Sequence, residues 1–110
     1  MASVDSSGWV SVRCVFRTMR PEGQTFEERI TLWRTPDMET AIERAETEAN
    51  AYTAALEDVE YLGFAQTYLL YDEPADSAEI FSLIRDSTLD PAAYLDAHFD
   101  TGGERQQSVE

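Results

Sequence analysis

Residues 9–34, WVSVRCVFRTMRPEGQTFEERITLWR, decide the fold of this chain. Apolar and polar side chains alternate from 9 to 19 and again from 25 to 34, which is typical of two strands that each turn one face to a core. The stretch Pro21-Glu22-Gly23 favours a hairpin with a three-residue loop, because the third loop position needs a positive φ. The predicted core rows are Val10, Val12, Cys14 and Phe16 in the first strand, and Phe26, Ile30 and Leu32 in the second.

The three-residue loop also fixes which residues face each other across the hairpin. Arg20 then faces Gln24. Further along the ladder Cys14 faces Ile30, so that both apolar rows lie on one side of the sheet. A slip of one residue would oppose Cys14 to Arg29 and move the two apolar rows to opposite faces, and we therefore predict the unslipped register.

A long helix is predicted after the hairpin. Pro36 stops the strand, and Asp37 is a favourable N-cap residue. Apolar side chains then recur at three- and four-residue steps to about residue 58, which predicts one apolar stripe. The stripe consists of Met38, Ile42, Ala45, Ala49, Tyr52 and Leu56.

Two further strands and a short helix complete the predicted fold. Residues 64–71, FAQTYLLY, predict a third strand, and the almost continuously apolar residues 79–85, EIFSLIR, predict a central fourth strand. Asp90-Pro91 predicts the start of a helix over 91–99. The fold class is therefore α+β: a four-stranded, mainly antiparallel sheet of two hairpins, packed by one long helix, in the order β-β-α-β-β-α with a short C-terminal helix.

Four segments of the chain resemble, in order and spacing, the small bacterial proteins grouped as domain of unknown function 4288. They are WVSVR (9–13), FEERITL (26–32), ETAIERAETEA (39–49) and EIFSLIR (79–85). The resemblance spans roughly residues 8–86, and Val10 stands where the family usually has tyrosine. It implies the architecture given above and a bacterial, cytoplasmic setting. The family has no established activity, catalytic residue or cofactor, so it implies none for this chain.

Composition predicts one domain over residues 1–110, with an ordered core at about 8–100 and flexible ends at 1–7 and 101–110. The chain has 110 residues, 43% of them hydrophobic, so it has enough apolar side chains for a core. The single cysteine excludes an internal disulfide and suits a reducing cytosol. No apolar stretch is long enough for a secretory signal or a membrane span, and we expect a cytoplasmic protein.

Charge is divided unevenly along the chain. Residues 1–34 contain five arginines and four acids, whereas residues 35–110 contain three arginines and eighteen acids. The formal net charge is −14, and there is no lysine. A field of this sign repels nucleic acid and anionic lipid and attracts basic surfaces, so a basic protein is the expected partner, with no nucleic acid and no membrane.

The residue types used in catalysis and metal binding are scarce or badly placed. Cys14 lies in a predicted core row, where a thiol behaves as a small hydrophobic group. His98 is the single histidine and cannot form a multi-histidine metal site. The acidic turn at Asp72, Glu73 and Asp76 lacks the glycine and the bidentate glutamate of an EF-hand loop. We therefore predict no enzyme, no cofactor and no metal.

Two surfaces are the candidates for binding. In the predicted register the outer face of the hairpin joins indoles to guanidinium groups, at Trp9, Arg13, Arg29 and Trp33. This face is either a second small core, covered by the C-terminal helix or by a sister subunit, or a set of interface anchors. The other surface is an acidic flank of the long helix with the following acidic loop, which serves either solubility or recognition of a basic partner. Its residues are Glu39, Glu43, Glu46, Glu57, Asp72, Glu73 and Asp76.

These observations predict a non-enzymatic, acidic protein-binding module, most concretely an immunity or inhibitor protein that covers a basic partner such as a toxin. The acidic residues would steer the encounter, and the tryptophans would anchor it. The alternative is a homodimeric small-ligand-binding or structural protein whose Trp9, Arg13, Arg29 and Trp33 face pairs across a two-fold axis. A small hydrolase would return as a third reading if Cys14 reacted rapidly in the folded state.

Overall fold

A computed structural model describes residues 7–99 and 102–104. The elements follow the order β1 (Trp9–Arg20), β2 (Gly23–Arg34), α1 (Met38–Ala54), β3 (Val59–Leu69) and α2 (Pro91–His98). The fold is α+β, and its three strands form one antiparallel sheet in the order β2-β1-β3. The flexible ends predicted for 1–7 and 101–110 lie outside the described residues at 1–6, 101 and 105–110.

The core lies between α1 and one face of the sheet, which we call the helix face. Val10, Val12 and Phe16 of β1 are buried there against three alanines of α1. Alanines spaced by four residues form one stripe on a helix, and their small side chains let α1 approach the sheet closely. These alanines are Ala41, Ala45 and Ala49.

The ends of α1 differ in part from the prediction. Asp37 is the N-cap, and its carboxylate accepts a hydrogen bond from the backbone N–H of Thr40 at 2.7 Å, as predicted. The helix ends at Ala54 rather than at about residue 58. The two end members of the predicted stripe, Met38 and Leu56, are exposed, so the buried stripe is shorter than the apolar pattern indicated.

The predicted four-stranded sheet is wrong, because residues 79–85 form no strand. The carbonyl of Ile80 accepts a hydrogen bond from the Ser11 hydroxyl, and the ring of Phe81 lies 6.2 Å from that of Tyr68. Both Ser11 and Tyr68 lie on the sheet face opposite α1, which we call the outer face. The start of the apolar run, Glu79–Phe81, therefore lies on this face of the sheet, and the run makes no backbone ladder with an edge strand.

The predicted register of the hairpin is also wrong, by one residue. Arg20 pairs with Gly23, so the loop contains only Pro21 and Glu22. Gly23 keeps the positive φ that was expected of it, 146°, but as the first residue of β2. Cys14 consequently faces Arg29, and the apolar row of β2 lies on the outer face instead of the helix face.

Candidate protein-binding surfaces

Polar side chains of β2 fill the helix face where apolar ones were expected. The guanidinium of Arg29 donates to both carboxylate oxygens of Glu48, at 3.1 and 3.3 Å, and lies 3.8 Å from the ring centroid of Tyr52. The hydroxyl of Tyr52 donates to Glu27 at 2.8 Å. Arg29 and Glu27, which the slipped register turns toward α1, thus both find partners on α1, which offsets the desolvation penalty of burying them.

Cys14 lies in this same layer, only 4% exposed. Burial raises the pKa of its thiol. Burial also raises the pKa of the neighbouring Tyr61, whose hydroxyl donates to Glu46 at 2.6 Å and so favours the neutral phenol. A thiol that stays protonated and covered is a poor nucleophile, so this geometry offers no activated cysteine.

The four-residue face predicted on the hairpin is divided between the two sides of the sheet. Arg29 and Trp33 lie on the helix face, where the Trp33 indole N–H donates to Thr31 at 2.7 Å. Trp9 and Arg13 lie on the outer face. The structure therefore does not bring the two tryptophans together, because the one-residue slip moves every β2 side chain to the other side.

The charged side chains at the centre of the outer face neutralise one another. Arg13 forms an ion pair with Glu28, and Arg17 forms one with Glu60. The guanidinium of Arg13 also lies 5.1 Å from the ring centroid of Phe81. These pairs leave the centre of the outer face without net charge, in contrast to the chain as a whole.

Large apolar side chains surround these neutral pairs and are exposed. Three come from β2, because the slipped register turns its apolar row outward. Two come from β3, where a bulge opposite Val15 includes Gly63 with a φ of 76°. The five side chains, which we call the outer apolar patch, are Phe26, Ile30, Leu32, Leu62 and Phe64.

The predicted acidic residues are brought together only in part. The backbone N–H of Thr35 donates to Gly8, and that of Leu70 donates to Trp9, so the start of α1 and the end of β3 meet at one end of the sheet. Glu39 and Glu43 follow on the exposed side of α1, and the acidic loop follows Leu70. We call this set the acidic end; its members are Glu39, Glu43, Asp72, Glu73 and Asp76.

The other two predicted steering residues lie elsewhere. Glu46 is turned toward β3 by its hydrogen bond with Tyr61, and Glu57 lies beyond the opposite end of α1. An open groove near Glu57 separates the hairpin turn from the end of α2 and includes Met19, Phe26 and Phe99 in its walls. Glu46 and Glu57 therefore do not belong to the acidic end.

No family model, no curated protein and no solved structure matches this chain. The resemblance to domain of unknown function 4288 therefore stays a prediction. Within residues 7–99 and 102–104, no three histidine, cysteine or acidic side chains are grouped so as to hold a metal ion. Neither described helix is long and apolar enough to cross a bilayer.

Sequence reasoning missed the polar layer beneath α1. Its signal was present as two matched spacings: Glu48 and Tyr52 are four residues apart on a helix, and Glu27 and Arg29 are two apart on a strand. Each spacing places both members on one face of its element. Opposite charges and hydrogen-bonding groups at matching spacings would have indicated that this face of β2 packs on α1.

Proposed function

We propose that this protein is a non-enzymatic, acidic protein-binding module of the bacterial cytoplasm, of the immunity or inhibitor type, which covers a basic partner such as a toxin. One observation carries the proposal. The five side chains of the acidic end are exposed or lie on an exposed loop, and none forms an ion pair with a described residue. Unpaired charges of one sign are free to pair with another molecule.

The acidic end acts first as a steering surface. Carboxylates at one end of the molecule create a negative potential that speeds encounter with a basic partner. Docking then requires apolar anchors beside the acids. Trp9 and the exposed Tyr71 lie at this end, since the carbonyl of Trp9 accepts from the N–H of Leu70. Trp33 cannot serve as an anchor at this end, because it lies half-buried on the helix face.

The test compares two variants with equal loss of charge. The first neutralises the acidic end by Glu39→Gln, Glu43→Gln, Asp72→Asn, Glu73→Gln and Asp76→Asn. The second neutralises five acids elsewhere, by Glu22→Gln, Glu57→Gln, Asp58→Asn, Asp86→Asn and Asp96→Asn. A partner isolated from the source cell with the unaltered chain is then used for association kinetics with all three proteins.

We expect the acidic-end variant to associate more slowly, by about tenfold or more at low salt, while the control variant keeps most of the rate. The rate of the unaltered chain should fall as salt is added, because screening removes long-range steering. An association rate that does not change with salt, or equal losses in the two variants, would show that net charge or another surface is responsible.

A further inference from the structure

The sheet has apolar side chains on both faces, but α1 covers only one. In an antiparallel sheet with one solvated face, the outward side chains are polar. Here the outer apolar patch exposes five large side chains, of which Phe26 is 54% exposed and Phe64 50%. A patch that spans both edge strands, β2 and β3, needs a broad second layer rather than a single extended peptide.

Residues 71–99 do not supply that layer. No residue from Tyr71 to Phe99 is buried. The described hydrogen bonds and ring contacts between this segment and the sheet are made by Glu79–Phe81, near Ser11 and Tyr68. α2 does not pack against another described helix or strand. On the half of the outer face toward the hairpin turn, Phe26 and Ile30 line an open groove together with residues 98–99 and 103–104, and both side chains stay exposed.

The charge of the outer face indicates which kind of partner can bind this half. The ion pairs Arg13–Glu28 and Arg17–Glu60 make the centre of the face neutral, so it does not complement a basic partner in the way the acidic end does. A neutral apolar face is, however, complementary to a copy of itself. In a two-fold arrangement each patch meets the same patch, and no unpaired charge is buried.

We propose that two copies of this chain pack outer face against outer face, forming a homodimer around the outer apolar patch. The two sheets then face each other over the half toward the hairpin turn, with the segment at Glu79–Phe81 at the side of the interface. This dimer differs from the one that the sequence predicted, because Arg29 and Trp33 lie on the helix face and take no part in it. The acidic ends remain outside the interface and stay available to the proposed basic partner.

Sedimentation equilibrium of the full chain over a range of protein concentrations tests the proposal. Ile30→Glu places a charge in the patch, and Leu56→Glu is the matched control, because the two side chains are 43% and 44% exposed and only Ile30 lies on the outer face. We expect the unaltered chain and Leu56→Glu to be dimers. In Ile30→Glu the dissociation constant should rise by about tenfold or more.

Phe64→Ser on β3 is a second variant, which decides the test if circular dichroism shows that Ile30→Glu is unfolded. A monomeric unaltered chain, a dimer unaffected by the folded patch variants, or equal weakening by Leu56→Glu would each overturn the proposal. The dependence on salt concentration distinguishes a failure of this dimer proposal from a failure of the proposed function. Screening of the two negative chains should strengthen the dimer, whereas it should slow association with a basic partner.

Discussion

Cys14 lies directly opposite Arg29 in the ladder between β1 and β2. This pairing puts a guanidinium beside a buried thiol, in the layer between the sheet and α1. Arg29 is accommodated there because it has an acidic partner in Glu48 and an aromatic partner in Tyr52. The register of the hairpin and the docking of the helix are thus one feature of the structure, since the helix satisfies the groups that the register turns inward.

The first prediction concerns the contribution of Arg29 to stability. Arg29→Ala removes a partly buried ion pair and a cation–π contact together, and leaves the carboxylate of Glu48 without its partner. We expect the free energy of unfolding to fall by roughly 1–3 kcal/mol. Arg29→Lys should lose part of this, because an ammonium cannot form the two parallel hydrogen bonds. Urea unfolding followed by circular dichroism measures both changes.

The matched control is Arg17→Ala on the outer face. Arg17 also pairs with a glutamate, Glu60, but its side chain is 36% exposed against 25% for Arg29. An exposed pair of this kind contributes about 0–1 kcal/mol. Equal losses in Arg17→Ala and Arg29→Ala would contradict the role assigned to the inward-facing guanidinium.

The second prediction concerns the close approach of α1 to the sheet. Ala45 is 1% exposed and packs against the buried residues of β1. Ala45→Leu adds three carbon atoms where there is little space, and should lower the free energy of unfolding by about 1–3 kcal/mol. Ala51 lies on the exposed side of the same helix, so Ala51→Leu should change stability by less than about 0.5 kcal/mol. Thermal unfolding of both variants measures these changes. An unchanged stability of Ala45→Leu would contradict the prediction.

Features set by a few neighbouring residues could be predicted from the sequence. The N-caps at Asp37 and Asp90 accept hydrogen bonds from the N–H groups three residues later, at 2.7 and 2.9 Å. Such a bond depends only on a short polar side chain and the start of a helix. The two strands of the hairpin also follow from local alternation.

Features that depend on distant partners could not be predicted in the same way. Alternation in β2 shows that the strand has a polar and an apolar face, but it does not show which face packs on α1. The polar face packs on α1 because Glu48 and Tyr52 complement it. The apolar run at 79–85 predicts a buried segment, but in the structure only Phe81 is partly buried and Ile84 is 87% exposed. The local pattern gives the hydrophobicity of a segment and not the neighbouring strand that a ladder requires.

The third prediction is a pH dependence of stability that arises at Asp37. The N–H of Thr40 donates to the carboxylate and lowers the pKa of Asp37. A pKa lower in the folded than in the unfolded chain stabilises the fold above the unfolded value, about 3.9, and this contribution is lost as the pH falls through the folded pKa. Asp37→Asn keeps the hydrogen-bond acceptor but cannot ionise.

We therefore expect the unaltered chain to be more stable than Asp37→Asn near neutral pH, with the difference shrinking as the pH falls below about 4. Asp37→Ala lacks the acceptor and should be less stable than Asp37→Asn at every pH. Urea midpoints measured from neutral to acidic pH give both comparisons. A constant difference between Asp37 and Asp37→Asn across this range would show that ionisation of the cap does not contribute.

The fourth prediction concerns the reactivity of Cys14. The thiol is buried between β1 and α1, and burial raises its pKa, so both access and ionisation oppose attack on a reagent. In the folded protein we expect modification by a disulfide reagent to be at least about a hundredfold slower than in urea, even near pH 9 where an ordinary thiol is largely ionised. Cys14→Ala should also leave partner association and dimer formation unchanged in a folded variant. Rapid modification of the folded chain would contradict the buried, protonated thiol and bring back the hydrolase reading, because a nucleophile must be both ionised and within reach of its substrate.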